Sequence, residues 1–379
     1  MTYAGVDLHH GSAVTDPDGS THAEIRRWAQ QALARLREEA AAEPPVPLRR
    51  YPLPESWGVS LYFRDESVRP TGSLKHRPVR RLMEDAVVRG DIRQGSTVVA
   101  ASAGNAAIAT AYFAQLIGVA FIAVVPGRTS PAKRERIERY GGRCHAFDPP
   151  AAIYDEAVRL AAEIDGHYLD HFAPAAQAED WRGPDSVGAA LLAQVLTQEG
   201  RAPAWVVVGA GTGSTSATVG RHIRYHGHPT RLALVDPENS AYWPGWVTGY
   251  DGYGTGMPSR IEGIGRPRVE PAFLPEVIDL AMPVPDAASL AAMRHLAATT
   301  GWSVGPSTGS NFWGALRIAH RMRQGGESGS IATLICDGAD AYRGTYYDDG
   351  WIRQRSLDPT PYAETIDRFL TDGRWTEPS

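Results

Sequence analysis

The chain has 379 residues and a formal net charge of -5, with acids and bases interspersed along it. That length exceeds one ordinary core and predicts two domains, at roughly 100–200 residues per domain. Mild, mixed charge argues against a nucleic-acid or membrane surface, and no apolar run approaches the ~20 residues of a membrane span. With no basic-plus-apolar leader at its start, the chain is expected to be cytoplasmic.

Residues 1–56 read as a polar tail followed by one helix. His9 and His10 are adjacent, but no cluster of further ligands supports a metal, and none is expected. Thr21 and Glu24 have the spacing of a capping box, and Ile25, Trp28, Ala32, Leu33 and Leu36 form one apolar helical stripe. Pro44, Pro45 and Pro47 end that helix.

From residue 57 short β-branched runs alternate with helical patterns. Strands are predicted at Val59–Phe63, Thr97–Ala101, Ala120–Val125, Cys144–Phe147, Trp205–Val208, Leu232–Val235 and Ala332–Cys336. Helical stretches include Ala106–Leu116, Lys133–Tyr140 and Ala189–Gln198. Such alternation predicts βαβ units and parallel sheets in an α/β fold. The first four strands and the last three form two groups, giving an N-terminal unit over 57–185, a C-terminal unit over 186–350 and a tail over 351–379. Residues 236–285 are rich in Gly, Pro and aromatics with little periodicity, as stretches that line sites tend to be. Cys144 and Cys336, the only cysteines, sit in apolar contexts and read as buried free thiols.

Four short stretches carry chemistry. In Pro70–Arg77 a lysine, Lys75, follows an apolar run and precedes a helical pattern, so it is expected at a helix N-terminus. The dipole there disfavours the ammonium, and a free amine can attack a carbonyl. A solvated turn lysine is the plainer alternative. Ala101-Ser102-Ala103-Gly104-Asn105-Ala106 turns from strand to helix with small side chains, and Asn105 offers both a donor and an acceptor. Gly209-Ala210-Gly211-Thr212-Gly213-Ser214-Thr215 opens another helix with glycines and hydroxyls, an arrangement that binds anions. It lacks the last glycine of a dinucleotide fingerprint and the lysine of a nucleotide-triphosphate loop, so a phosphomonoester fits it best. Gly305-Pro306-Ser307-Thr308-Gly309-Ser310-Asn311 resembles that turn and opens a helix predicted over Phe312–Met322, but follows no good strand. A Schiff-base lysine, a phosphate cup and an asparagine on a second turn are together what pyridoxal 5′-phosphate requires.

Ser73-Leu74-Lys75-His76-Arg77 resembles the lysine motif of the cysteine synthase / cystathionine β-synthase family, the fold-type II pyridoxal-phosphate enzymes. Ser102-Ala103-Gly104-Asn105 resembles that family's substrate loop and Gly211-Thr212-Gly213-Ser214-Thr215 its phosphate cup. Val235–Glu238, Ile261–Gly265 and Cys336–Tyr342 follow in the family's order. Arg64–Arg77 and Gly305–Gly314 look most like its L-cysteine desulfhydrase branch.

The resemblance implies two parallel-sheet α/β domains with pyridoxal 5′-phosphate in the cleft between them. Lys75 would hold the cofactor and remove the substrate α-proton, Asn105 would face the cofactor's phenolic oxygen, and Gly211–Thr215 would hold its phosphate. Ser102, Ala103 and Gly104 would receive the substrate carboxylate, with Gly263 near the substrate amine. The implied reaction is β-elimination from a small L-amino acid through an aminoacrylate, most simply L-cysteine to sulfide, pyruvate and ammonia. β-Replacement from O-acetyl-L-serine, O-phospho-L-serine or another β-substituted alanine uses the same residues, and a non-catalytic binding protein of the same fold is a further alternative. A homodimer is the family expectation. The chain departs from the pattern in two places: methyls of Ala103 and Ala106 replace hydroxyls, and Gly338 stands where a serine faces the pyridine nitrogen, which leaves Asp337 or a water for that position.

Overall fold

The computed structural model describes residues 22–172 and 179–378. Thr21, His9 and His10 lie outside them. The predicted first helix is α1 (His22–Ala42), with Ala32 and Leu36 of its apolar stripe buried. Two sheets follow, each flanked by helices.

The smaller sheet has the order β5-β4-β3-β6, all parallel, from β3 (Thr97–Ala101), β4 (Ala120–Pro126), β5 (Arg143–Phe147) and β6 (His167–Tyr168). Its helices are α2 (His76–Arg89), α3 (Asn105–Ile117), α4 (Pro131–Glu138) and α5 (Ile153–Glu163). Val98, Ala100, Ala123 and Val125 alternate into one core with Met83, Phe113 and Leu36, so α1 belongs to this side. Val99, Ala101 and Val124 face α5 on the other side.

The larger sheet has six strands: β1 (Leu48–Tyr51), β2 (Val59–Asp65), β10 (Gly329–Ile335), β7 (Trp205–Gly209), β8 (Arg231–Pro237) and β9 (Leu280–Val284), in that order. Only β1 is antiparallel, pairing with β2. The expected grouping of the first four strands is corrected here. β2 pairs in parallel with β10 over seven residues, Val59↔Gly329 to Asp65↔Ile335, and never joins the sheet of β3. The physical reason is packing: Leu61 and Phe63 are fully buried in the core formed with Phe312 and Trp313. The N-terminal unit expected from residue 57 therefore contributes its leading strand to the other sheet.

Around the larger sheet lie α6 (Val187–Glu199), α7 (Ser214–Tyr225), α8 (Tyr242–Thr248), α9 (Asp286–Thr300) and α10 (Pro306–Gln324). Helix α10 opens six residues before the predicted start, with Gly305 as its N-cap and Pro306 at the first helical position, where a fixed φ is pre-organised. After α11 (Asp349–Arg353), the expected tail carries α12 (Thr360–Asp372), whose Ile366 and Phe369 are fully buried in the same core. The C-terminal ends of β3 and β7 and the segment after β2 converge on one crevice, where parallel sheets place ligands.

Candidate active site

Lys75 is the N-cap of α2, as expected. Its segment is tied to the strand exit after β10: Leu74 N donates to Cys336 O at 2.8 Å, and Ser73 bridges Asp337. Lys75 N donates to Ser73 Oγ at 3.3 Å. The side chain ends in a cavity of about 410 Å³. Burial, with Arg266 adding to it, lowers the Lys75 amine to about 8, so a free amine is populated near neutral pH.

Behind the lysine lies a buried ion network. His76 is fully buried, with Nε2 2.9 Å from Glu39 Oε1 and 3.2 Å from Glu43 Oε1, and with Thr71 Oγ1 3.2 Å from Nδ1. Arg80 pairs with both glutamates, and Arg69 with Glu43 and Glu66. Glu39, Glu43 and His76 are the one metal-like grouping among the described residues, but Arg69 and Arg80 already occupy the carboxylates. The network thus fastens α1 to the start of α2.

Facing Lys75 are the two predicted turns. Ser102, Ala103, Gly104 and Asn105 all line the cavity, and Asn105 begins α3, whose first N–H groups receive no side-chain cap from Gly104. Ser102 Oγ accepts from Gly104 N at 3.3 Å. In the cup, Gly211, Thr212, Gly213 and Thr215 line the cavity, whereas Ser214 is buried behind them with its hydroxyl 3.0 Å from Thr212 Oγ1. Side chains do not fit in this cup. A Cβ on Gly211 would collide with the Gly263 carbonyl, and Gly213, at φ +89°, would place one 2.6 Å from the backbone of Phe273. What remains is bare backbone N–H at the start of α7, a cradle of the kind that takes a phosphate. Gly263 lies on the exposed lip, with φ +92°.

Asp337 also lines the cavity. Its Oδ2 accepts from Asn105 Nδ2 at 2.7 Å and from Tyr342 OH at 2.6 Å, while Oδ1 is buried without a partner. Burial raises its pKa to about 6. Asn105 is thus engaged with Asp337, a contact the two motifs did not announce. Cys336 also lines the cavity, and burial pushes its thiol up to about 12. Both cysteines are free. From the third glycine turn Ser307 and Asn311 reach the cavity, and Asn311 Oδ1 is likewise unpartnered.

These residues fit pyridoxal 5′-phosphate. A buried amine, a side-chain-free anion cradle and an unpartnered buried carboxylate oxygen share one cavity, so aldehyde, phosphate and ring nitrogen each have a counterpart.

Sequence reasoning missed several lining residues. His171, after β6, is buried with Nε2 unpartnered, and burial with the nearby Lys75 charge lowers it to about 4. Lys133 and Arg136 enter from α4, and Lys133 Nζ meets Glu262 Oε1 at 2.7 Å. Pro258–Pro267, within the irregular stretch expected to line a site, does so. One signal was available: the chain has only two lysines, Lys75 and Lys133, and both line this cavity.

The fold and site define a pyridoxal-phosphate enzyme built on two parallel-sheet α/β units. The chain matches the family described as pyridoxal-phosphate dependent enzyme over residues 40–337. It is 48% identical over 357 residues to L-cysteine desulfhydrase Cds1 of Mycobacterium tuberculosis, covering 93% of this chain and 96% of that one. Cysteine synthase 1 of Neurospora crassa is 25% identical, covering 94% of each chain. Among solved structures, O-ureido-L-serine synthase superposes with a TM-score of 0.70 at 26% identity, over 81% of this chain and 96% of that one. The chain belongs to the pyridoxal-phosphate dependent enzyme family, in its fold-type II, cysteine synthase-like group.

Proposed function

We propose that the protein is an L-cysteine desulfhydrase, a pyridoxal-phosphate-dependent lyase acting at the β-carbon of a small L-amino acid. The observation that carries the substrate is the 48% identity, across nearly the whole chain, to a protein of that name. L-Cysteine and one water give hydrogen sulfide, pyruvate and ammonia. Bound pyridoxal phosphate supplies an electron sink that acidifies the substrate α-carbon.

The chain's own residues do the rest. Lys75, carrying a depressed pKa, takes the α-proton as a neutral amine and holds it at Nζ. The N–H groups at 102–106 and the start of α3 orient the substrate carboxylate, doing more of that work because Ala103 and Ala106 bring no hydroxyl. The 211–215 cup fixes the phosphate through backbone rather than charge. Asp337 Oδ1 is assigned to the ring nitrogen and Asn105 to the phenolic oxygen. An Asp337→Asn protein with unaltered cofactor absorbance and turnover would remove Asp337 from that role.

β-Replacement is the second reading, favoured by the cysteine synthase among the relatives. Every residue assigned above serves both, and how long the site stays closed decides between them. A non-catalytic binding protein is disfavoured by the buried amine of Lys75, which binding alone does not need. The working form is proposed to be a cytoplasmic homodimer without nucleic-acid or membrane partners. Supporting this, charge is mixed, and among the described residues no helix is long and apolar enough to cross a membrane. The test is to add L-cysteine to the holoenzyme: sulfide and pyruvate in equal amounts are expected. Sulfide-dependent formation of cysteine from O-acetyl-L-serine, without pyruvate from L-cysteine, would overturn elimination in favour of replacement.

A further inference from the structure

Four cationic side chains line the cavity: Lys75, Lys133, Arg136 and Arg266. Two are held by carboxylates. Lys133 Nζ meets Glu262 Oε1 at 2.7 Å, and Arg266 donates to Glu270 Oε1 at 2.9 Å and to Tyr154 OH at 3.0 Å. Lys75 is the reacting amine. Arg136, one turn along α4 from Lys133 and half-buried, has no hydrogen bond, ion pair or ring contact among the described residues. Its charge opposes the rise that burial imposes on Asp337, which lines the same cavity.

A part-exposed guanidinium at a cavity wall with no protein partner is open to an anion, and its planar fork matches a carboxylate, sulfo or phospho group. Two anions of the proposed reaction already have receptors: the cofactor phosphate in the 211–215 cup, and the substrate carboxylate at 102–106. The remaining anion is the leaving group. We propose that Arg136 receives the substrate β-substituent and selects substituents that carry negative charge or acquire it on leaving. This rests on the elimination reading above. The bond from Cβ to the substituent breaks with its electron pair passing to the substituent, and the α-proton goes to Lys75. One water is consumed, and pyruvate, ammonium, a proton and the leaving anion are released.

The test compares pyruvate release by the holoenzyme and its Arg136→Gln variant from S-sulfo-L-cysteine, L-cysteine and β-chloro-L-alanine. These leave as thiosulfate, hydrosulfide and chloride. Losing a charge-assisted contact predicts a fall in kcat/KM of at least about tenfold for S-sulfo-L-cysteine, mostly in KM. The expected change for β-chloro-L-alanine, whose substituent is uncharged and leaves readily, is under about threefold. Arg136→Lys is expected to recover part of the loss. An equal fall with all three substrates would assign Arg136 to a group they share and overturn the proposal, as would no fall with any. A wild-type enzyme that turns over β-chloro-L-alanine but not L-cysteine would count against the desulfhydrase reading, while the ratio between the other two substrates decides Arg136.

Discussion

On one side of the cavity Lys75 is carried by side chains: Glu39 of α1 and Glu43, just past its end, clamp His76, Arg69 and Arg80 around the start of α2. On the other side the 211–215 turn is carried by backbone, with glycines pressed against Gly263 and Phe273 and Tyr242 OH donating to Gly211 O at 2.6 Å. The difference follows from what each side must do. A reacting amine has to be poised without a counter-charge that would hold it as an ammonium, so the acids sit behind it, on its neighbours. A phosphate needs many short N–H contacts and no side chain in the way. Electrostatics fixes the first wall and sterics the second.

Removing the reacting group gives the largest expected effect. Lys75→Ala should lower L-cysteine turnover by at least about 10³-fold, since base and cofactor anchor go together; sulfide release measures it. Breaking the clamp comes next. Glu39→Ala leaves buried cations short of a partner and should cost about 3 kcal/mol or more of stability, read from the urea midpoint. Loss of turnover without loss of stability would mean that α1 acts on the site rather than on the fold. On the backbone side, Gly213→Ala adds a Cβ at positive φ against the Phe273 backbone and should weaken cofactor binding by at least about tenfold, measured by titration, while also lowering the cofactor-free melting temperature because that backbone must shift.

The last effect concerns pH. Folding lowers Lys75 from its ordinary 10.5 to about 8, so between those values the folded cofactor-free protein holds fewer protons than the unfolded one. Stability therefore rises as pH climbs through that window, by roughly 3 kcal/mol at most from this residue. Lys75→Met should flatten that part of the curve, measured by denaturation across pH.

The same contrast governs what the sequence discloses. Backbone-built features are local, so the glycine cup, the loop at 102–106 and the placement of Lys75 ahead of α2 are legible as contiguous runs. Side-chain networks are not. Glu39, on the polar face of α1, and Glu43, just past its end, read as ordinary charges, and only the folded chain brings them onto His76. The partner of β2 lies about 270 residues away in β10, and parallel pairing leaves no local trace, so its sheet was misassigned. His171 and Arg136 are invisible for a similar reason: each is a single polar residue whose meaning is its lack of a partner in a cavity. The helix over Thr360–Asp372 was passed over because it lies beyond the motifs, although its Ile366 and Phe369 complete the larger core.

Lys75 as the residue that anchors the cofactor is the claim on which the rest depends, and the chain makes it testable at one stroke. Lys75 and Lys133 are the only lysines. Reducing the holoenzyme with borohydride fixes the cofactor to whichever amine holds it, and peptide mass spectrometry then reads the position. The adduct is expected on Lys75 and not on Lys133, which is paired with Glu262. An adduct on Lys133, or no adduct on either lysine, would contradict it.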